Sequence, residues 1–215
     1  MCAMGVDPSG GGTDPMVIAI RHDGWYAPMV ETPGKAIPTK KAGAVSAGII
    51  LQHRRDNALI VIDMGGGYGG TMYEHLHENG FEVAVYKGAE KTARRGCEGK
   101  MKFTNKRSAA YWLFREALDP GQPGGSSIAL PDDPEMVADL TAPEFDAPSQ
   151  GIRVEPKEDV VKRLGRSTNK GDAIVMAWFE GPRNLTHAME WMGRNASKKP
   201  SVVMHRQPLT ARFRR

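Results

Sequence analysis

Three aspartates are the residues of this sequence whose type and placement could do chemistry. Asp7 and Asp63 each follow a short apolar run, and Asp172 is the only acid of an otherwise apolar segment at 171–179. Carboxylate oxygens are the ligands that Mg²⁺ and Mn²⁺ prefer, and two such ions about 4 Å apart can activate a water and stabilise the leaving oxygen in phosphodiester cleavage. Because a lone carboxylate on an apolar helix needs a partner, a metal shared by the three acids is one interpretation.

Each acid also has a purely structural interpretation. Asp7 precedes Pro8 and can start a turn, Asp63 can cap the residues that follow it, and Asp172 can complement the dipole of the helix that it opens. Asp14, in the loop after Asp7, is a further candidate ligand under the metal interpretation. The sequence by itself leaves both interpretations open.

The hydrophobic pattern predicts the elements that position these acids. The expected strands are 3–7, 16–21, 25–31, 58–62 and 82–86. The expected helices are 42–55, 71–79, 106–118 with Asn105 as its cap, 157–164 and 171–179. A short strand at 128–130 lies in a stretch rich in proline and glycine, and beyond Pro182 only 185–192 has a helical pattern.

The order of these elements predicts an α/β fold with a mixed central sheet. Asp23-Gly24 is a hairpin signal, so the first three strands should be antiparallel, whereas strand, helix and strand over 58–86 form a βαβ unit. The first and fourth strands should then lie side by side. Asp7 and Asp63 would end these two neighbouring strands, at the edge where α/β folds bind their ligands.

Charge and length indicate one domain at 1–182 followed by a basic tail at 183–215. The 215-residue chain carries a net charge of +4, but the tail holds eight basic residues against Glu190 alone. A second basic stretch, 87–107, follows the strand that neighbours Asp63. Such stretches suit a polyphosphate partner, although solvated loops are the alternative interpretation. The residues predicted to contact such a partner are Arg94, Arg95, Lys100, Lys102, Lys106 and Arg107.

Several classes of protein are excluded by composition. Cys2 and Cys97 are far apart and form no Cys-x-x-Cys pair, which excludes a disulfide framework and a thiolate zinc site. The chain has no apolar run near the roughly 18 residues that a membrane span needs. The first residues lack the pattern of a signal peptide, so we expect a cytoplasmic protein.

Five segments taken together resemble one known family. The segments are 5–14 (GVDPSGGGTD), 61–69 (VIDMGGGYG), 103–109 (FTNKRSA), 154–157 (VEPK) and 164–173 (LGRSTNKGDA). They are similar to motifs in the C-terminal nuclease domain of the large terminase subunit of tailed bacteriophages, and the resemblance covers roughly residues 3–180.

The resemblance implies an RNase H-like fold with helices on both faces of the sheet. It implies an endonuclease that cuts double-stranded viral DNA concatemers during genome packaging with two Mg²⁺ or Mn²⁺ ions. Asp7, Asp63 and Asp172 match the family's catalytic, metal-binding acids. Asn169 stands where relatives often have Asp or His, so its place in the metal site departs from the family pattern.

The implied partners are double-stranded DNA, the ATPase part of the large terminase, the small terminase subunit and the portal, in the cytoplasm of the host. The chain contains no Gly-x-x-x-x-Gly-Lys-[Ser/Thr] phosphate loop, so we expect no ATPase within it.

Two other functions compete with a nuclease. The segment 60–69 resembles the first motif of an S-adenosylmethionine methyltransferase, but Lys87 follows the next strand where that fold has an acid, and the antiparallel opening is unexpected there. A DNA-binding packaging scaffold without enzymatic activity is the second, and it requires the three acids to be coincidental.

Overall fold

The computed structural model describes residues 1–9, 12–96, 99–122 and 124–182. The predicted basic tail and the helical pattern at 185–192 therefore lie outside the described residues. Within the described part of the chain, no helix is both long and apolar enough to cross a membrane.

Eight strands and six α-helices make up this part of the chain. The strands are β1 (Ala3–Asp7), β2 (Met16–His22), β3 (Trp25–Tyr26), β4 (Val30–Thr32), β5 (Leu59–Asp63), β6 (Val83–Tyr86), β7 (Phe145–Asp146) and β8 (Arg153–Val154). The α-helices are α1 (Ala42–His53), α2 (Gly70–Glu78), α3 (Lys106–Leu118), α4 (Pro134–Thr141), α5 (Lys157–Leu164) and α6 (Asn169–Phe179). Two short 3₁₀ helices, Gly34–Ala36 and Thr39–Lys41, precede α1.

The central sheet has the order β3-β2-β1-β5-β6, and β4 also pairs with β2. As predicted, β1 is antiparallel to β2 and parallel to β5. The expected third strand at 25–31 is interrupted: β3 and β4 are separate strands that pair with opposite ends of β2. The residues between them include Pro28, which has no N–H to donate to a continuous strand.

Helices cover both faces of the sheet, and the alternation of side chains along the strands decides which face each residue meets. In β1, β2 and β5, even-numbered residues such as Ile60 and Ile62 pack in the core against α1 and α2. Odd-numbered residues such as Val17 and Val61 pack in the core that contains α3 and α6. Asp7 and Asp63 have odd numbers, so the strand period directs both toward the α6 face.

Close packing at Gly5 places α6 directly over β1. A Cβ atom at Gly5 would lie 2.0 Å from the carbonyl oxygen of Ala173 and 2.9 Å from the amide nitrogen of Ala177. Only glycine lets the helix backbone approach the strand this closely. Asp172 precedes Ala173, so this contact brings its carboxylate over the end of β1.

Residues 122–150 hold more structure than the sequence predicted. Asp133 is the N-cap of helix α4, and its side chain accepts hydrogen bonds from the amides of Glu135 and Met136. Pro134 is the first residue of the helix. An aspartate cap followed by proline is a recognised signal for the start of a helix, but the many prolines in this stretch obscured it. The hairpin β7–β8 was also missed, whereas the strand expected at 128–130 is reduced to one bridge between Ala129 and Trp25.

We predict that Gly5→Ala destabilises the fold by about 1–3 kcal/mol or more, because the new methyl group overlaps the backbone of α6. Gly48→Ala is the matched control, since it lies in α1 with nothing within 4 Å of its added Cβ and should stabilise by about 0.4–1 kcal/mol. Urea unfolding of both variants measures the difference. Equal midpoints for the two variants would contradict the packing of α6 on β1.

Candidate active site

The three predicted aspartates line one cavity of about 360 Å³ at the carboxyl edge of β1 and β5. Asp7 and Asp63 each follow by one residue the paired positions Val6 and Ile62, so they end adjacent strands. Asp172 reaches the cavity from the first turn of α6. Other residues on its wall include Asp14, Gly65, Gly66, Tyr68, Gly88, Arg107, Lys157, Glu158 and Asn169.

The Asp172 carboxylate is buried and accepts from four donors. Its Oδ1 accepts from Arg107 Nη1 and from the Tyr111 hydroxyl, each at 2.6 Å. Its Oδ2 accepts from the Thr168 hydroxyl at 3.0 Å and lies 3.0 Å from Lys157 Nζ. Burial alone would raise the pKa of Asp172, but Lys157 and Arg107 outweigh it and hold that pKa well below its usual range.

Lys157 joins two of the three acids. Its Nζ lies 2.7 Å from Asp7 Oδ2 as well as 3.0 Å from Asp172 Oδ2. Burial opposes the charge of Lys157, yet these carboxylates raise its pKa well above the ordinary value. The pKa of Asp7 rises to about 7, because the effect of burial exceeds the attraction of Lys157 and the charge of Asp172 adds to it.

The role of Lys157 was missed at the level of sequence, although the motif 154–157 contains it. The sequence does contain one signal for this role. Lys157 is the first residue of α5, where the helix dipole disfavours a cation. A lysine at that position indicates that nearby carboxylates compensate its charge.

Asp63 has different surroundings from the other two acids. Its Oδ1 accepts from the amide of Gly65 at 2.8 Å. Burial raises the pKa of Asp63, and this amide and Lys157 partly offset the increase. The glycine cluster packs closely around the end of β5, since a Cβ at Gly69 would lie 2.5 Å from the Asp63 carbonyl oxygen. Tyr68, which the sequence analysis did not select, is 60% exposed on the same cavity wall.

The prediction that the three acids meet at one point is only partly met. They share a cavity, but among the described residues no group of three or more His, Cys, Asp or Glu side chains is arranged to hold a metal ion. The ammonium of Lys157 lies between the carboxylates of Asp7 and Asp172 and supplies the charge that was expected from a metal. The carboxylate oxygens of Asp7, Asp63 and Asp172 are nevertheless the type of donor that Mg²⁺ and Mn²⁺ prefer.

Asn169 and Asp14, the two further candidate ligands, both line the cavity but differ in their hydrogen bonds. The Asn169 amide nitrogen donates to the carbonyl of Pro15 at 3.3 Å, and its oxygen accepts from the Ser167 hydroxyl. Asn169 therefore links α6 to the loop after β1. Asp14 is exposed at the cavity, and its backbone carbonyl accepts from Ser9 at 2.6 Å.

The predicted DNA-binding residues divide into two groups. Arg107 is buried, and its guanidinium pairs with Asp172 and donates to the carbonyl of Glu155. It therefore belongs to the carboxylate network of the cavity, and its contact with DNA stays a prediction. Lys106 is largely covered and pairs with Glu90 and Glu180. The exposed members of the set are Arg94, Arg95, Lys100 and Lys102.

The mixed sheet, its helices on both faces and the carboxylates that end β1 and β5 define an RNase H-like fold. This is the fold of the nuclease domains of large terminase subunits. The domain from subunit gp2 of bacterial virus Sf6 matches with a TM-score of 0.63 at 20% sequence identity, over 84% of this chain and 88% of that chain.

Mutant forms of the same Sf6 domain match equally well. The form with calcium has a TM-score of 0.63 and the form with manganese 0.61, both at 19% identity and with the same coverage of the two chains. No protein-family model and no curated protein matches this chain. At these identities the similarity establishes the fold.

We predict that Arg107→Met destabilises the fold by about 3–5 kcal/mol, because it leaves the buried Asp172 carboxylate without its guanidinium partner. Adding Asp172→Asn should recover much of this loss, since the uncompensated charge is then removed. A double-mutant cycle by urea unfolding measures the coupling. Additive losses in the double variant would contradict the pairing.

Proposed function

We propose that this protein is a metal-dependent endonuclease that cleaves double-stranded DNA. The observation that carries the proposal is the placement of Asp7, Asp63 and Asp172 on one cavity wall in a fold shared with terminase nuclease domains. Asp7, Asp63 and Asp172 would bind the metal, with Asp14 and Asn169 as further ligands. The Sf6 domain has been solved with manganese, which supports Mn²⁺ or Mg²⁺ as the cofactor.

When bound, a pair of such ions would supply an activated water and stabilisation of the leaving oxygen. The chain's own residues prepare the site by balancing its charge. Lys157 neutralises Asp7 and Asp172, and its withdrawal would free one oxygen of each for a metal. Arg107 and Tyr111 would remain on the other oxygen of Asp172 and hold its orientation.

The substrate we propose is duplex DNA bound with little sequence preference. Gly88 and Ala89 line the cavity, and the exposed basic residues Arg94, Arg95, Lys100 and Lys102 follow in the same segment. Contacts of Lys and Arg with phosphates do not depend on sequence. We extend this proposal to the cutting of viral concatemers in the host cytoplasm. The partners would then be the terminase ATPase, the small subunit and the portal. The proposal also includes a basic tail at 183–215 that follows the nuclease domain.

The structure bears differently on the two competing functions, a methyltransferase and a scaffold without enzymatic activity. β6 ends at Tyr86 and Lys87 follows, so the acid that a methyltransferase places there for the cofactor ribose has no counterpart at this position. A scaffold without enzymatic activity is favoured by one observation, since Arg107 and Lys157 give Asp172 a structural role. Cleavage of plasmid DNA separates the scaffold from the nuclease.

We predict that the protein cleaves supercoiled plasmid with Mn²⁺ and that Asp63→Asn abolishes this cleavage without unfolding the chain. The amide keeps the shape of the side chain but removes the charge that binds the metal. Asp119→Asn is the matched control, because both aspartates accept from the amide two residues on at 2.8 Å, and Asp119 does not line the cavity. Full cleavage by Asp63→Asn would overturn the assignment.

We predict that Lys157→Ala binds Mn²⁺ more tightly than the wild type, because the ammonium no longer competes for Asp7 and Asp172. A metal that binds only the folded state adds about 2.7 kcal/mol of stability at a hundred times its dissociation constant. Melting temperatures over a Mn²⁺ titration measure the shift in affinity. Lys162→Ala, on the same helix but exposed and paired with Asp159, should titrate like the wild type. Identical titrations for both variants would contradict a competing role of Lys157.

A further inference from the structure

The side chain that accepts hydrogen bonds from the first turn of α6 belongs to a different helix. Thr168 stands at the N-cap position, but its hydroxyl donates to Asp172 Oδ2 at 3.0 Å instead of capping the backbone. The first amides of a helix need an acceptor when they are buried, and a cap normally accepts from the second or third helical residue. Those residues here are Lys170 and Gly171.

Asp139 of α4 fills this role. Its Oδ2 accepts from the amide of Lys170 at 3.1 Å and from the amide of Gly171 at 3.3 Å. The residue is 1% exposed, and its Oδ1 accepts from the Arg166 guanidinium. A Cβ at Gly171 would lie 2.9 Å from the Asp139 Cβ, so glycine permits this close approach.

A second contact ties the same turn to α4 and to the sheet. Lys170 Nζ lies 2.9 Å from each of three carboxylates. They belong to Glu31 of β4, Asp133 at the cap of α4, and Glu135 within α4. Both the backbone and the side chain of the turn before Asp172 are therefore held by α4.

We propose that Asp139 is a positioning residue for the active site. Lys170 and Gly171 immediately precede Asp172, so hydrogen bonds to their amides determine where its carboxylate lies relative to Asp7. Thr168 can then donate to Asp172 without leaving the helix start unsatisfied. This inference rests on the proposed nuclease function, because it assigns Asp172 a geometry that metal binding requires.

The test compares Asp139→Ala with Asp139→Asn, which keeps an oxygen that can accept from the two amides. Hydrogen exchange at 168–173 reports the helix start, and the Mn²⁺ concentration for half-maximal plasmid cleavage reports the site. Asp139→Ala should speed exchange in this turn and raise the Mn²⁺ requirement by roughly 10- to 100-fold, the usual cost of losing a residue that orients a metal ligand. Asp139→Asn should stay much closer to the wild type than Asp139→Ala in both measurements, because its oxygen still accepts from the two amides and only the acceptor for Arg166 is lost.

Ile50→Ala controls for general loss of stability, because Ile50 is buried in the core on the opposite face of the sheet from α6. It should leave both the local exchange and the Mn²⁺ requirement unchanged. Wild-type behaviour of Asp139→Ala, or an Mn²⁺ requirement raised equally in Ile50→Ala, overturns the proposal. A wild type that cleaves no plasmid contradicts the nuclease function instead, and the exchange measurement then still decides whether Asp139 holds this turn.

Discussion

The neutralisation of the buried Asp172 carboxylate is the interaction on which the rest of the site depends. Removing a carboxylate from water costs several kcal/mol unless cations and hydrogen bonds replace the solvent. Arg107 and Tyr111 come from α3, Lys157 from α5 and Thr168 from the start of α6 itself. Three helices are therefore joined through one side chain, and Lys157 extends the network to Asp7 on β1.

This network also explains how the carboxylates of Asp7 and Asp172 can be packed together in a buried space. Burial is the main cause of the raised pKa of Asp7, and the repulsion between two carboxylates that share a buried space adds to it. The ammonium of Lys157 relieves the repulsion with a mobile charge on a flexible side chain. Under the proposed function this ammonium is the charge that a divalent ion would displace, whereas the guanidinium of Arg107 is buried within the fold.

Two glycines and one carboxylate determine where α6 lies. Gly5 allows the backbone of α6 to approach β1, and Gly171 allows α4 to approach the first turn of α6. Asp139 then replaces the cap that Thr168 does not provide. The position of Asp172 is thus constrained by close contacts on two sides of its helix.

The sequence by itself determined most of the central sheet and the proximity of two of the three candidate acids. Continuous apolar runs define β1, β2 and β5, and because parallel neighbours end at the same edge, Asp7 and Asp63 had to lie close together. The bounds of α3 were also predicted correctly, since Asn105 caps it through the amide of Ser108, a contact only three residues long.

Only the tertiary structure decided the partners of these acids. Arg107 belongs to a run of basic residues that reads as an exposed surface, yet its partner Asp172 lies 65 residues away. Lys157 meets Asp7 across 150 residues, and Asp139 meets Gly171 across 32. Local patterns report caps, periods and turns because those depend on near neighbours in the chain. The pairing of a buried charge depends instead on which distant element packs against it, and that is settled only when the helices lie on the sheet.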